Sequence, residues 1–108
     1  MTEPRRGDVY LVALDPTLGS EIKKTRPCVI VSPDDLNPTL GAYLAAPMTT
    51  GGRAYAFRIA CRFRNRDGFV VADQLRTVDR VRLTRRIGRL SHDAMTEVLD
   101  VLQRMFAP

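Results

Sequence analysis

Nine consecutive residues, Tyr55 to Phe63, alternate with a period of two. Tyr55, Phe57, Ile59, Cys61 and Phe63 fall on one side, and Ala56, Arg58, Ala60 and Arg62 on the other. A helix repeats every 3.6 residues and cannot set such a row on one face, whereas a half-buried antiparallel strand requires it. The neighbouring segments agree with a sheet. Gly7–Leu14 and Cys28–Ser32 are short, nearly continuous apolar runs, the pattern of strands buried on both faces. Ala42–Met48 reads as a further strand, in which Pro47, having no N–H to donate, calls for an edge or a bulge. Gly51-Gly52 reads as a hairpin turn into the alternating strand, and Asp67-Gly68 as a turn into Phe69–Ala72. A last short strand is expected around Ile87 and Leu90. The polar stretch from Asp15 to Thr25, broken by Pro16 and Gly19, is longer than the roughly two to five residues of a hairpin loop.

One segment carries the other period. Met95, Val98, Leu99, Leu102 and Met105 follow helical spacing. Ser91 stands ahead of them as an N-cap, and Asp93 lies in the first turn, where the helix dipole favours a negative charge. The expected fold is therefore mainly β (α+β): five or six strands in a small antiparallel barrel, closed or flanked by one C-terminal α-helix. With 108 residues, one domain over 1–108 is expected. No apolar run approaches the ~20 residues of a membrane span, and no apolar leader segment follows Met-Thr-Glu-Pro-Arg-Arg. Cys28 and Cys61 sit in apolar runs and read as buried free thiols of a reducing compartment, so a cytoplasmic location is expected.

Charge gives the first hint of function. Lys and Arg number 17 against 12 Asp and Glu, a net charge of +5. Only Lys23 and Lys24 are lysines, and the other 15 are arginines. The arginine fork matches phosphate and stacks on bases, so a polyanion such as nucleic acid is the natural partner. An arginine-rich composition with solvated side chains would look the same. Composition also excludes chemistries. His92 is the single histidine, so one chain can build neither a two-histidine ribonuclease site nor a histidine-based metal cluster. There is no Cys-x-x-Cys pair, phosphate-binding Gly-rich loop or Gly-x-Ser-x-Gly elbow. No cofactor is expected, and any catalysis works through Arg, Lys, carboxylates and hydroxyls.

Four places could carry such chemistry. Arg26 precedes Pro27, which forces it into an extended backbone and aims it with more order than a loop would. An arginine that merely opens a strand and faces water is the plain alternative. Thr49 and Thr50 end a strand beside a tight turn. A threonine hydroxyl there can donate to a phosphate oxygen, although bonding to its own turn is commoner. Asp73 and Gln74 follow a buried strand and could read base edges, or Asp73 could pair with Arg76. The series Arg76, Arg80, Arg82, Arg85, Arg86 and Arg89 suggests a solvated or phosphate-facing stripe. His92, in the first helical turn, receives no role.

A family resemblance now emerges. Arg6-Gly7-Asp8-Val9-Tyr10-Leu11-Val12, Leu14-Asp15-Pro16-Thr17, Gly19-Ser20-Glu21 and Thr25-Arg26-Pro27 with the apolar strand to Ser32 resemble the MazF/PemK toxins. So do Ala46-Pro47-Met48-Thr49 and Asp73-Gln74-Leu75-Arg76-Thr77-Val78-Asp79. The blocks run in the family's order across residues 5–106. The resemblance implies an SH3-like barrel, usually homodimeric, acting as the toxin of a type II toxin–antitoxin pair. It implies a metal-independent endoribonuclease that cuts single-stranded RNA at short sequences. Arg26 matches the catalytic arginine and Thr49 the catalytic threonine, with Thr50 the other register. Glu21, Asp73 and Gln74 match positions that approach the bases, and Ser20, Lys23 and Lys24 of the same polar segment as Glu21 join them as RNA-binding residues. Ser20 replaces a histidine of the PemK/Kid branch and Val71 an arginine, so the MazF branch is the better model.

On that model the ribose 2′-OH attacks its own 3′-phosphate, leaving a 2′,3′-cyclic phosphate and a 5′-OH. Arg26 then serves as electrostatic stabiliser and acid, and the base stays open because a guanidinium is seldom deprotonated. The implied partners are the RNA and a cognate antitoxin with an acidic, disordered tail, with no membrane. Two other functions share such a barrel: a CcdB-type toxin that binds gyrase, and a non-catalytic RNA-binding barrel. The second would favour exposed aromatics for stacking, whereas the aromatic residues here are assigned mostly to the core.

Overall fold

The computed structural model describes residues 3–14, 25–36 and 41–108. Its strands are β1 (Asp8–Ala13), β2 (Thr25–Ile30), β3 (Ala42–Thr50), β4 (Arg58–Phe63), β5 (Arg66–Val71), β6 (Arg76–Asp79) and β7 (Leu83–Arg89). The helix α1 (His92–Phe106) follows, and short 3-10 turns lie at Ala72–Gln74 and Arg80–Arg82. All pairings are antiparallel, in the order β4-β5-β3-β2-β1-β7, with β6 also beside β3. The mainly-β fold with one C-terminal helix is as the sequence indicates, with seven strands where five or six were expected.

The expected barrel is not closed by hydrogen bonds, because β4 and β7 end the ladder and do not pair. Side chains bring the two ends together instead: a Cβ added to Gly88 of β7 would come within 2.8 Å of the Phe63 ring of β4. The curl depends on β3, which changes neighbours along its length. Ala42–Ala45 pair with β6, Ala45–Pro47 with β2, and Met48–Thr50 with β5. Pro47 therefore lies in an inner strand, yet one of its flanks is locally an edge. It falls between the last residue paired to β6 and the first paired to β5, where one flank of β3 has no partner needing its N–H.

Both faces of the central strands are buried, as the unbroken apolar run of β1 requires. Val9, Val29, Ala46, Met48, Ile59 and Val70 pack with Met95, Val98 and Val101 of α1. Tyr10, Val12, Cys28, Ile30, Tyr43, Ala45, Val78 and Leu83 form a second, smaller core on the other face. Each fully buried aliphatic side chain among them contributes roughly 1.5–3 kcal/mol. The Ser91 hydroxyl accepts from the Ala94 N–H at 3.2 Å and caps α1 as expected. Both cysteines are free, Cys28 buried and Cys61 only half-buried at the rim of the larger core. Among the described residues no helix is long and apolar enough to cross a membrane.

Two expected hairpins are placed differently. Gly51-Gly52 does not join adjacent strands, because β5 lies between β3 and β4. Asp67-Gly68 lies inside β5, and the true two-residue turn is Arg64-Asn65, both at positive φ (51° and 63°), between the paired residues Phe63 and Arg66. The alternating strand is also shorter than the pattern. Phe57 has φ 65°, so β4 begins at Arg58, and Tyr55 and Phe57 remain 56% and 44% exposed.

Candidate active site

Arg26 is held in β2, opposite Val12 of β1 and ahead of Pro27. On its other side the ladder from β2 to β3 runs Ile30–Ala45, Val29–Ala46, Cys28–Pro47. Counting two steps further in the same register gives Arg26 and Thr49, and both line one cleft. There the two strands part, because β3 turns to pair with β5. The parting leaves a cleft of about 510 Å³ lined by Thr25, Arg26, Pro27, Met48, Thr49, Thr50, Cys61, Phe63, Arg66 and Gly68. Strand alternation puts Arg26 and Thr49 on one face, and Thr50 on the other with Met48.

Local chemistry prepares these groups. Arg26 and Thr49 are half-buried and Thr50 is exposed. The Thr49 hydroxyl donates to the Gly51 carbonyl at a long 3.4 Å, so its own turn holds it only weakly. Beneath Arg26, the Cys28 thiol donates to the Arg26 carbonyl at 3.8 Å. Burial pushes that thiol up to about 11 against the pull of Arg76 and Arg26, so it stays protonated. Among the described residues no carboxylate forms an ion pair with Arg26 or Arg66. Among the described residues the cleft therefore presents two guanidiniums without a carboxylate partner and the hydroxyls of Thr25, Thr49 and Thr50, a set suited to a phosphodiester. No group of three or more His, Cys, Asp or Glu among the described residues is placed to hold a metal ion.

Asp73 and Gln74 lie elsewhere, in the exposed turn after β5, and do not line this cleft. Asp73 pairs with Arg58, not Arg76: Nε to Oδ1 at 3.2 Å and Nη2 to Oδ2 at 3.3 Å. That forked contact holds the Asp73 carboxyl below the usual range. The Arg58 guanidinium also lies 4.8 Å from the centre of the Tyr55 ring. Ser20, Glu21, Lys23 and Lys24 lie outside the described residues.

Much of the expected arginine stripe is engaged with the chain's own carboxylates. Arg89 and Arg86 hold buried Asp8 at 2.8 and 3.2 Å, and Arg80 holds Glu3 at 2.6 Å. Arg66 is the cleft residue that sequence reasoning missed. Asp67-Gly68 reads as a turn in the sequence, whereas Arg66 opens β5 and lines the cleft.

The whole frame is that of the small mainly-β toxins. It superposes on MazF of Deinococcus radiodurans, solved as a MazE–MazF complex, with a TM-score of 0.83 at 26% identity over 97% of this chain and 96% of that one. The model for the PemK-like, MazF-like toxins of type II toxin–antitoxin systems matches residues 5–106, and this chain belongs to that family. The endoribonuclease toxin MazF of Escherichia coli K12 is 39% identical over 75 residues, 69% of this chain and 68% of its own length. The endoribonuclease PemK of Escherichia coli is 35% identical over 107 residues, covering 94% of this chain and 80% of its own.

Proposed function

We propose that this toxin is an endoribonuclease that cuts single-stranded RNA at short sequences without a metal ion. Arg26 and Thr49 are its catalytic residues, and Asp73 and Gln74 contact the bases together with the segment holding Ser20, Glu21, Lys23 and Lys24. The observation that carries this reading is the cleft where β2 and β3 part, which Arg26 and Thr49 both line. Family membership and relatives named as endoribonucleases support it.

In the reaction the nucleophile belongs to the substrate. The ribose 2′-oxygen bonds to the adjacent phosphorus and gives up its proton, while the bond from phosphorus to the 5′-oxygen breaks and that oxygen gains a proton. The products are a 2′,3′-cyclic phosphate and a 5′-OH. The protein's task is alignment and charge stabilisation. Arg26 offers forked N–H donors to the non-bridging oxygens as negative charge accumulates, and the Thr49 hydroxyl fixes the phosphate by a further donor.

The same positive cleft suits an antitoxin whose acidic, disordered tail occupies the RNA path. The chain acts in the cytoplasm as a homodimer; exposed Leu44, Val81 and Phe106 offer apolar surface for such an assembly.

The test is incubation of the purified protein with a long single-stranded RNA in excess EDTA, beside Arg26→Ala, followed by mapping of the ends. Cleavage at a recurrent short sequence with 5′-OH ends, lost in the variant, is the expected result. Intact RNA, or cleavage that a folded Arg26→Ala protein sustains, would overturn the assignment.

A further inference from the structure

The face of the sheet that carries Thr49 continues beyond the cleft. Thr49 pairs with Phe69, and Phe69 with Ala60, so these three stand abreast on one face. Two residues along β5, Val71 pairs with Arg58. Arg58 thus shares the face of Thr49, two strand spacings across and two residues along, about 12 Å away in an ideal sheet.

Arg58 is the centre of a fixed cluster. Its guanidinium grips both oxygens of Asp73 and lies 4.8 Å from the centre of the Tyr55 ring. The loop beneath is tied down, since the Ala72 N–H donates to the Phe57 carbonyl at 3.2 Å. Tyr55 is nevertheless 56% exposed. An aromatic ring held in place by a cation, yet open to solvent, contributes little to a core. It has the properties of a stacking platform, because any unpaired base offers a π-face to it.

Asp73 adds selectivity. Each carboxylate oxygen has a second lone pair beyond the one directed at Arg58. An ionised carboxylate only accepts, so it favours a base edge that presents an amino group over that of uracil, whose lone N3–H donor is flanked by two carbonyl oxygens that the carboxylate repels.

We propose that Tyr55, Arg58 and Asp73 form a base-binding subsite beside the scissile phosphate, which takes an unpaired nucleobase bearing an exocyclic amino group. The base stacks on Tyr55 and donates to Asp73, and Arg58 is a positioning residue for both. This rests on the RNA-cleaving reading above and adds to it a place and a chemistry for sequence selection.

The experiment uses short single-stranded RNAs randomised around one mapped cut site, cleaved by the wild type, Tyr55→Ala, Tyr55→Phe and Asp73→Asn, with thermal melts to confirm folding. Tyr55→Ala is expected to raise KM about 10-fold with a much smaller change in kcat, and Tyr55→Phe to restore most of that loss. Asp73→Asn, whose amide can also donate, is expected to admit uracil at one position beside the cut. Unchanged KM and base preference in folded Tyr55→Ala would overturn the subsite while leaving the nuclease intact. Equal losses in Tyr55→Phe and Tyr55→Ala would overturn stacking as its basis. A wild type that cuts none of the RNAs would sink the nuclease and the subsite together.

Discussion

Arg26 and Thr49 line the same cleft, each two residues past the last pair that β2 and β3 form, Cys28 with Pro47. Neither is on a free loop. Arg26 is still laddered to Val12 of β1, and Thr49 to Phe69 of β5. Each therefore has one rigid neighbour and one open side, which gives a fixed donor pair beside a cleft wide enough for a phosphodiester.

That arrangement separates the two threonines. Thr49→Val removes the hydroxyl on the face of Arg26 and should lower kcat by about 10²–10³, the cost of losing one well-aimed donor. Thr50→Val, on the face of Met48, should lose far less. Single-turnover cleavage of one defined RNA by both variants checks this, and an equal loss in the two would refute the assigned register.

Gly68 is the second control on Thr49. A Cβ there would fall inside the contact distance of the Thr49 carbonyl oxygen, a backbone atom that cannot swing aside. Gly68→Ala should therefore push β5 away from β3, costing about 1–3 kcal/mol of stability. A fall of several degrees in Tm should accompany reduced cleavage. A variant that melts with the wild type would show that the two strands can separate freely.

Gly68 also shows where sequence reasoning stops. A glycine is required either for an unusual φ or for a close approach, and the sequence does not distinguish the two. Asp67-Gly68 thus looks like a turn, whereas Gly68 makes room for Thr49 and the real turn is Arg64-Asn65, with no glycine at all. Gly51-Gly52 misleads in the same way, since β5 inserts between the strands it seemed to join. Legible features were those set by neighbours in sequence: the Ser91 cap, the spacing of α1, the two buried faces of β1, and Arg26 stiffened by Pro27. The pairing of Asp8 with Arg86 and Arg89, or of Asp73 with Arg58, depends on strand order and could not be read in advance.

Arg66 enters the cleft without a carboxylate partner among the described residues. If it neutralises one phosphate, Arg66→Ala should weaken RNA binding and reduce the slope of log K against log salt by about 0.7, the value for one contact to a single strand. The measurement is a salt titration of binding in an Arg26→Ala background, which prevents turnover. An unchanged slope would place Arg66 outside the RNA path.

Cys28 predicts an alkaline limit to stability. Burial raises its thiol from an ordinary 9.0 to about 11. Between those values the unfolded chain releases a proton that the folded chain keeps, so the unfolded state binds fewer protons and stability falls as pH rises. The thiol's contribution is intact below pH 9 and is lost progressively up to about 11, with a ceiling of about 2–3 kcal/mol. Burial raises Tyr10 and Tyr43 as well, so the wild-type curve alone does not isolate the cysteine. Urea unfolding of the wild type and Cys28→Ala from pH 8 to 11 does. The variant starts less stable, because it leaves a cavity in the smaller core, yet its stability should decline less steeply above pH 9. Parallel curves would mean that the thiol beneath Arg26 reaches water more readily than its burial indicates.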